Sequence, residues 1–254
     1  MFSNQLLYIK MSRRELQLGY IWFTLFVAAS LLHPIRSAAW TEFLFHFANF
    51  AAAILIFRKF LDHSCQVPLT GFGAVCAMAA LGAFLAWLAN LLTNDLIYFY
   101  LPKWFFYDDF GPHFYNVLKQ DILTTHLGEN PTLTFFVVAV FAPFAEELFH
   151  RGLVFGSLCR KSLALAYTVS VLLYAFLPLA SLFGKLPVEY LVISFLQYIP
   201  MGVMFNWIYT RTETIWTPIL AHILLNGASI LAMRYPNAQN YSIISPYCQS
   251  DRRR

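Results

Sequence analysis

The chain has 254 residues, 59% of them hydrophobic and 12% charged, whereas a soluble domain is nearer half apolar and a quarter charged. This excludes an ordinary soluble domain and points to an all-α polytopic membrane protein, a helix bundle of about seven transmembrane helices embedded in the lipid bilayer. The net charge of +4 comes from scattered basic residues that form no basic face, which excludes nucleic acid as a partner.

The first 17 residues are polar and basic, with Lys10, Arg13 and Arg14. The apolar run Leu18 to Leu32 follows. A signal peptide competes for it, with Arg36 to Ala39 as a tolerable cleavage region. A first membrane helix is preferred, because further spans follow and the run is rich in aromatics. A second span is expected over about Glu42 to Phe57, ending at Arg58-Lys59, and a third from Gly71 to about Leu92. Asn94 to Phe110 is dense in Tyr, Trp and Phe, the composition of a membrane–water interface. Pro112 to Leu127 reads as a short surface helix. The fourth span runs from Thr132 to about Cys159, kinked by Pro143. The fifth covers Leu163 to Leu179, the sixth Val188 to Tyr209 with a kink at Pro200, and the seventh about Ile215 to Met233. The chain divides into 1–131, membrane helices and an interfacial loop; 132–233, a core; and 234–254, a polar tail. Cys65, Cys76, Cys159 and Cys248 form no C-x-x-C pair, so neither a zinc ribbon nor a disulfide framework is indicated.

Seven spans with a cytoplasmic N-terminus put Lys10, Arg13, Arg14, Arg58, Lys59, Arg160, Lys161 and Arg211 inside. Arg36, Lys103, Lys119, Lys185 and Arg234 then fall outside, the distal tail left aside. Eight against five favours this orientation.

The fourth span carries the chemistry, in Phe141 to Gly156, FAPFAEELFHRGLVFG. Ionisable groups inside a membrane span are costly and point to function. Successive helical residues lie about 100° apart, so Glu146 and Glu147 do not share a face. Glu147 and Arg151 are four apart with the acid first, which suits an intrahelical ion pair. Glu146 sits one turn before His150 and is left for chemistry. In the seventh span His222 and Asn226, four apart, face one way. At 1.5 Å per residue, Glu146 lies roughly 21 Å from its helix end near Arg160, and Asn226 roughly 20 Å from the corresponding start near Glu213, with His222 about one turn shallower. On their own His222 and Asn226 would be read as interhelical hydrogen bonds. With Glu146 at matching depth, all three are expected to converge on one intramembrane cavity.

Glu146-Glu147-Leu148-Phe149-His150-Arg151 as E-E-x-x-x-R, followed by His222 to Asn226 as H-x-x-x-N, resembles the CPBP family. These are the intramembrane CAAX-type prenyl endopeptidases and their bacterial, abortive-infection-like relatives. The resemblance covers about Thr132 to Met233 and implies a four-helix catalytic core. It implies Glu146 as the general base on a water, His222 and Asn226 as oxyanion stabilisers, and Glu147 and Arg151 as structural support. A base and a pair of preorganised donors in a water-poor site fit that chemistry. The family's middle motif, F-x-x-x-H, has its best match where Tyr174 takes the aromatic position and Pro178 stands in place of the histidine. No histidine lies between Arg151 and His222. His150 is the nearest candidate to assist Glu146, although a hydrogen-bonded helix residue is the plainer account of it; Tyr174 is a weaker one.

No cofactor is expected. Zinc is the lesser alternative, since no H-E-x-x-H occurs and only Glu146, His150 and His222 would supply the three ligands a catalytic zinc usually needs. The implied activity is hydrolysis of a peptide bond in a hydrophobic or prenylated peptide or protein tail, in a bacterial plasma membrane. The alternative is a catalytically impaired relative that binds a hydrophobic peptide or partner protein, for example in bacteriocin self-immunity, because of Pro178. A small transporter ranks below both, as no inverted repeat or paired broken helices are seen.

Overall fold

The computed structural model describes residues 11–32, 38–66, 71–100, 123–180, 182–184 and 188–234, and every regular element among them is helical. In chain order these are α1 (Arg13–Leu32), α2 (Ala39–Ile56), α3 (Arg58–Gln66), α4 (Phe72–Tyr100), a short α5 at 123–129, α6 (Pro131–Leu158), α7 (Leu163–Ala180), α8 (Val188–Thr212) and α9 (Trp216–Arg234). Six of them, α2, α4 and α6 to α9, contain stretches long and apolar enough to cross a membrane. The chain is therefore an all-α polytopic membrane protein. α1 is not among the six. Its first turns carry Arg13, Arg14, Glu15 and Gln17, which leaves a short apolar run. The expected surface helix at 112–127 falls partly outside the described residues, as do most of the aromatic interfacial segment, the 36–39 region and the tail.

One boundary differs from expectation. α4 runs on past Leu92 to Tyr100, because Asn94 is accommodated: its Oδ1 accepts from Gln197 Nε2 of α8 at 2.8 Å. Pro102 follows soon after, where a helix cannot easily continue. The second span ends where expected, at Ile56 just before Arg58-Lys59, and that basic pair also opens the amphipathic α3. This helix buries Phe60, Leu61 and Ser64 and exposes Arg58, Lys59, Asp62 and His63. Glu15 joins the two N-termini. Its Oε2 accepts from Ser12 N (2.8 Å) while Ser12 Oγ accepts from Glu15 N (3.2 Å), a capping box. Its Oε1 accepts from Phe60 N in the first turn of α3 (2.9 Å).

α6 is the axis of the bundle. Its spanning stretch is 56% buried, against 11% for α2 and 17% for α4. It packs against α1, α2, α7 and α9, while α4 and α8 close the far side against α7 and α9. Phe149 of α6 stacks on Phe23 of α1, and Phe141 and Phe144 meet Phe50 of α2. α6 is also not a plain α-helix. Two stretches, Phe136–Phe141 and Leu148–Phe155, are wound into wide π turns on either side of Pro143 and the glutamates. π turns inside α-helices are uncommon and frequently mark functional sites. Pro143, where the sequence predicts a kink, closely follows the first of these wide stretches.

Candidate active site

Burying a carboxylate and a guanidinium in an apolar bundle is tolerable only if each finds partners. Glu147 and Arg151 do. Both are fully buried, and Arg151 Nη1 donates to Glu147 Oε1 at 3.1 Å. The rest of the guanidinium is engaged by α8: Nε donates to Asn206 Oδ1 (3.1 Å) and Nη2 to the Gly202 carbonyl (3.1 Å). Gly202 is needed for this approach, since a Cβ there would stand 3.2 Å from Tyr174 Cδ1 and 3.4 Å from Val171. The guanidinium also lies 4.7 Å from the Tyr174 ring centroid and 5.2 Å from that of Phe205, a cation–π sandwich between α7 and α8. Asn206 Oδ1 accepts in addition from Ser170 Oγ (3.2 Å), whose hydroxyl also lies 3.1 Å from the His150 carbonyl.

The two glutamates are not segregated as the spacing suggested. His222, itself buried, contacts both. Its Nδ1 is 2.9 Å from Glu147 Oε1, and its Nε2 is 4.0 Å from Glu146 Oε2. Its ring stacks on Phe205 and meets Tyr174 edge-on. Glu147 is therefore more than the ion-pair partner of Arg151. It also holds the imidazole and, because an ionised carboxylate only accepts, leaves the Nδ1 proton facing it and Nε2 facing Glu146. Glu146 differs in environment: its side chain is 40% exposed where that of Glu147 is 0%.

The depth match also shifts by a turn. His222, rather than Asn226, is level with the glutamates. Asn226 lies one turn further along α9, and its Nδ2 donates to the carbonyl of Val138, eight residues before Glu146 (3.0 Å). The π winding of Leu148–Phe155 contributes to this shift. A wide turn holds more residues per unit of length, so Glu146 lies closer to the Arg160 end than 1.5 Å per residue implies.

His150 is buried between the rings of Phe149 and Tyr174, and its Nδ1 has no hydrogen-bond partner among the described residues. Among the described residues no three His, Cys, Asp or Glu side chains gather as metal ligands, so Glu146, His150 and His222 do not form the set that the zinc alternative required. Cys159, just past the end of α6, is half-buried, and that burial pushes its thiol pKa up, away from reactivity. Sequence reasoning missed Asn206, Gly202, Phe205 and Ser170. The one available signal was Asn206, a lone amide in the apolar stretch GVMFNWIY, which in a membrane span points to an interhelical partner.

Residues 128–228 match the family model described as Rce1-like, type II CAAX prenyl endopeptidase Rce1-like. The chain is also 29% identical over 109 residues to the Bacillus subtilis (strain 168) protein named "Putative membrane peptidase YdiL". That similarity covers 43% of this chain and 40% of the relative, so it spans well under half of either. No solved structure matches. The matched segment takes in α6, α7, α8 and most of α9, the helices that carry the contacts described above around Glu147 and His222.

Proposed function

We propose that this chain, a family-level match to the CAAX prenyl endopeptidases through residues 128–228, is an intramembrane endopeptidase that hydrolyses a peptide bond in a hydrophobic or prenylated peptide or protein tail. The observation that carries the proposal is the placing of His222 between two unlike carboxylates, one sealed and ion-paired, the other open. Glu146 is the base. It takes a proton from a water held in the gap toward His222 Nε2, and the hydroxide attacks the scissile carbonyl. The negative charge of the tetrahedral intermediate is met by His222, which Glu147 holds in place at Nδ1, and by the second amide proton of Asn226. Glu146 then returns its proton to the leaving amine. Arg151 holds Glu147 in place. Each step uses side chains of this chain and needs no metal. Helices α6 to α9 form the four-helix core, and α1 is a seventh crossing with the N-terminus cytoplasmic, in a bacterial plasma membrane.

The competing proposal, a relative that binds a hydrophobic peptide without cleaving it, draws on Pro178 standing where the resemblance implies a histidine. Cleavage of a fluorogenic hydrophobic or prenylated tail peptide by the purified protein in liposomes separates the two. Glu146→Gln should lower the rate by about 100-fold or more, as loss of a general base does. Cleavage that persists unchanged in Glu146→Gln refutes the assigned base. No cleavage by the wild-type chain favours the binding protein.

A further inference from the structure

Pro143 interrupts α6 three residues before Glu146. In the wide turn that precedes it, each N–H reaches back five residues: Ala142 N donates to the Val137 carbonyl. The next bond of that ladder would run from residue 143 to the carbonyl of Val138. A proline has no N–H to give, and a carbonyl left unpaired inside a membrane bundle is costly. The Val138 carbonyl is the one that Asn226 Nδ2 reaches from α9, at 3.0 Å. We infer that Asn226 supplies the hydrogen bond that Pro143 withholds from α6, and that this bond sets the register of the α6 glutamates against His222.

The surroundings fit a fixed contact. Beside Asn226, α9 lies against α6 at Gly227, where a Cβ would meet the Phe135 ring at 3.8 Å and Ala139 Cβ at 4.0 Å, ordinary contact distances. Four residues back on the same face of α9, His222 meets Glu147. The two helices are thus tied at two levels, at residues 222 and 226 of α9 and at 147 and 138 of α6, on either side of the proline. The bond engages one amide proton of Asn226 and leaves the other for the oxyanion. The role therefore rests on the proposed active site only for its consequence, and the bond itself stands apart from any chemistry. Asn226 is in this respect a positioning residue.

The test uses the full chain in detergent or liposomes, with native cysteines replaced by serine and the pair Ala139→Cys and Gly227→Cys introduced. A Cβ separation near 4.0 Å suits a disulfide, so oxidative crosslinking reports the α6–α9 register directly. Asn226→Leu, similar in size but without a donor, should slow crosslinking roughly tenfold, the equivalent of one net hydrogen bond, and lower the melting temperature. Adding Pro143→Ala restores a backbone donor and should recover much of both losses. If Asn226→Leu crosslinks like its parent, the positioning role is wrong. If its effects are as large in the Pro143→Ala background as with Pro143 in place, the proline does not create the need and the inference fails. Should the Asn226→Leu chain not accumulate, its recovery on adding Pro143→Ala supports the inference, and failure to recover overturns it. None of these readouts uses cleavage, so a wild-type chain that cleaves nothing would sink the proposed function and leave this result standing.

Discussion

Arg151→Ala is the perturbation whose cost the structure defines most fully. The change removes one charge-assisted hydrogen bond to Glu147, two hydrogen bonds to Asn206 and Gly202, and the cation–π contacts to Tyr174 and Phe205. It leaves a carboxylate with no exposed surface and, among the described residues, His222 as its remaining polar contact. Removing one partner of a buried pair costs about 3–5 kcal/mol. The surviving His222 contact lowers that figure and the lost ring contacts, about 0.5–2 kcal/mol each, raise it, so about 4 kcal/mol is expected. For a chain of this size, each kcal/mol shifts the melting temperature by roughly 2–4 °C, so a fall of about 10 °C should be seen by thermal unfolding in detergent. Glu147→Gln keeps an acceptor for His222 while removing the buried charge. Arg151→Ala should therefore cost much less in a Glu147→Gln background, with a coupling of about 1–3 kcal/mol. Strict additivity of the two changes would mean that the ion pair is not what holds this cluster.

Gly82→Ala should destabilise by about 1–3 kcal/mol, because its Cβ would sit 2.7 Å from Ile208 Cδ1 and 2.9 Å from Cγ2; Ile208→Val, which deletes Cδ1, should recover part of the loss in the same melting assay. Glu15→Ala removes the acceptor shared by the starts of α1 and α3 and should cost about 1–2 kcal/mol as a lost cap. Trypsin should then cut faster at Arg58 and Lys59, with cleavage after Arg211 unchanged.

Six of the seven expected spans were legible because a long apolar run is the mark of a membrane helix. The ion pair was legible because an i, i+4 acid–base spacing has one interpretation inside such a helix. What spacing could not deliver was the partner of His222. Helical phase sends Glu146 and Glu147 in different directions, yet it does not say that one imidazole, with two nitrogens, can meet both. Depth was misjudged by a turn for a different reason. A rise of 1.5 Å per residue assumes α winding, and nothing in LFHRGLVF announces π turns. Pro143 announced a disturbance without its form. The contribution of α8 was hidden because Gly202 acts through its backbone and Phe205 looks like any lipid-facing or core aromatic until Arg151 is placed beside it.

Position 178 can now be located against Glu146. α6 and α7 run antiparallel, and at the level of His150 they are joined by the Ser170 hydroxyl on the His150 carbonyl and by the Tyr174 ring against the imidazole. One turn along each helix in the same direction leads to Glu146 on α6 and Pro178 on α7. The residue that departs from the family pattern therefore stands level with the proposed base. A histidine there would face the carboxylate across the site, while a proline offers neither a side-chain donor nor a backbone N–H. Pro178→His should raise cleavage of the tail peptide by about tenfold or more, below the usual contribution of a positioned acid or base because the site is not built around it. Because replacing the proline also restores a backbone donor and straightens α7, Pro178→Ala is the reference against which the gain is measured. A histidine variant no faster than the alanine variant, with both folded by the melting assay, would mean that the site does not use position 178. The cleavage proposed for the wild-type chain would then rest on Glu146, His222 and Asn226, without help from position 178.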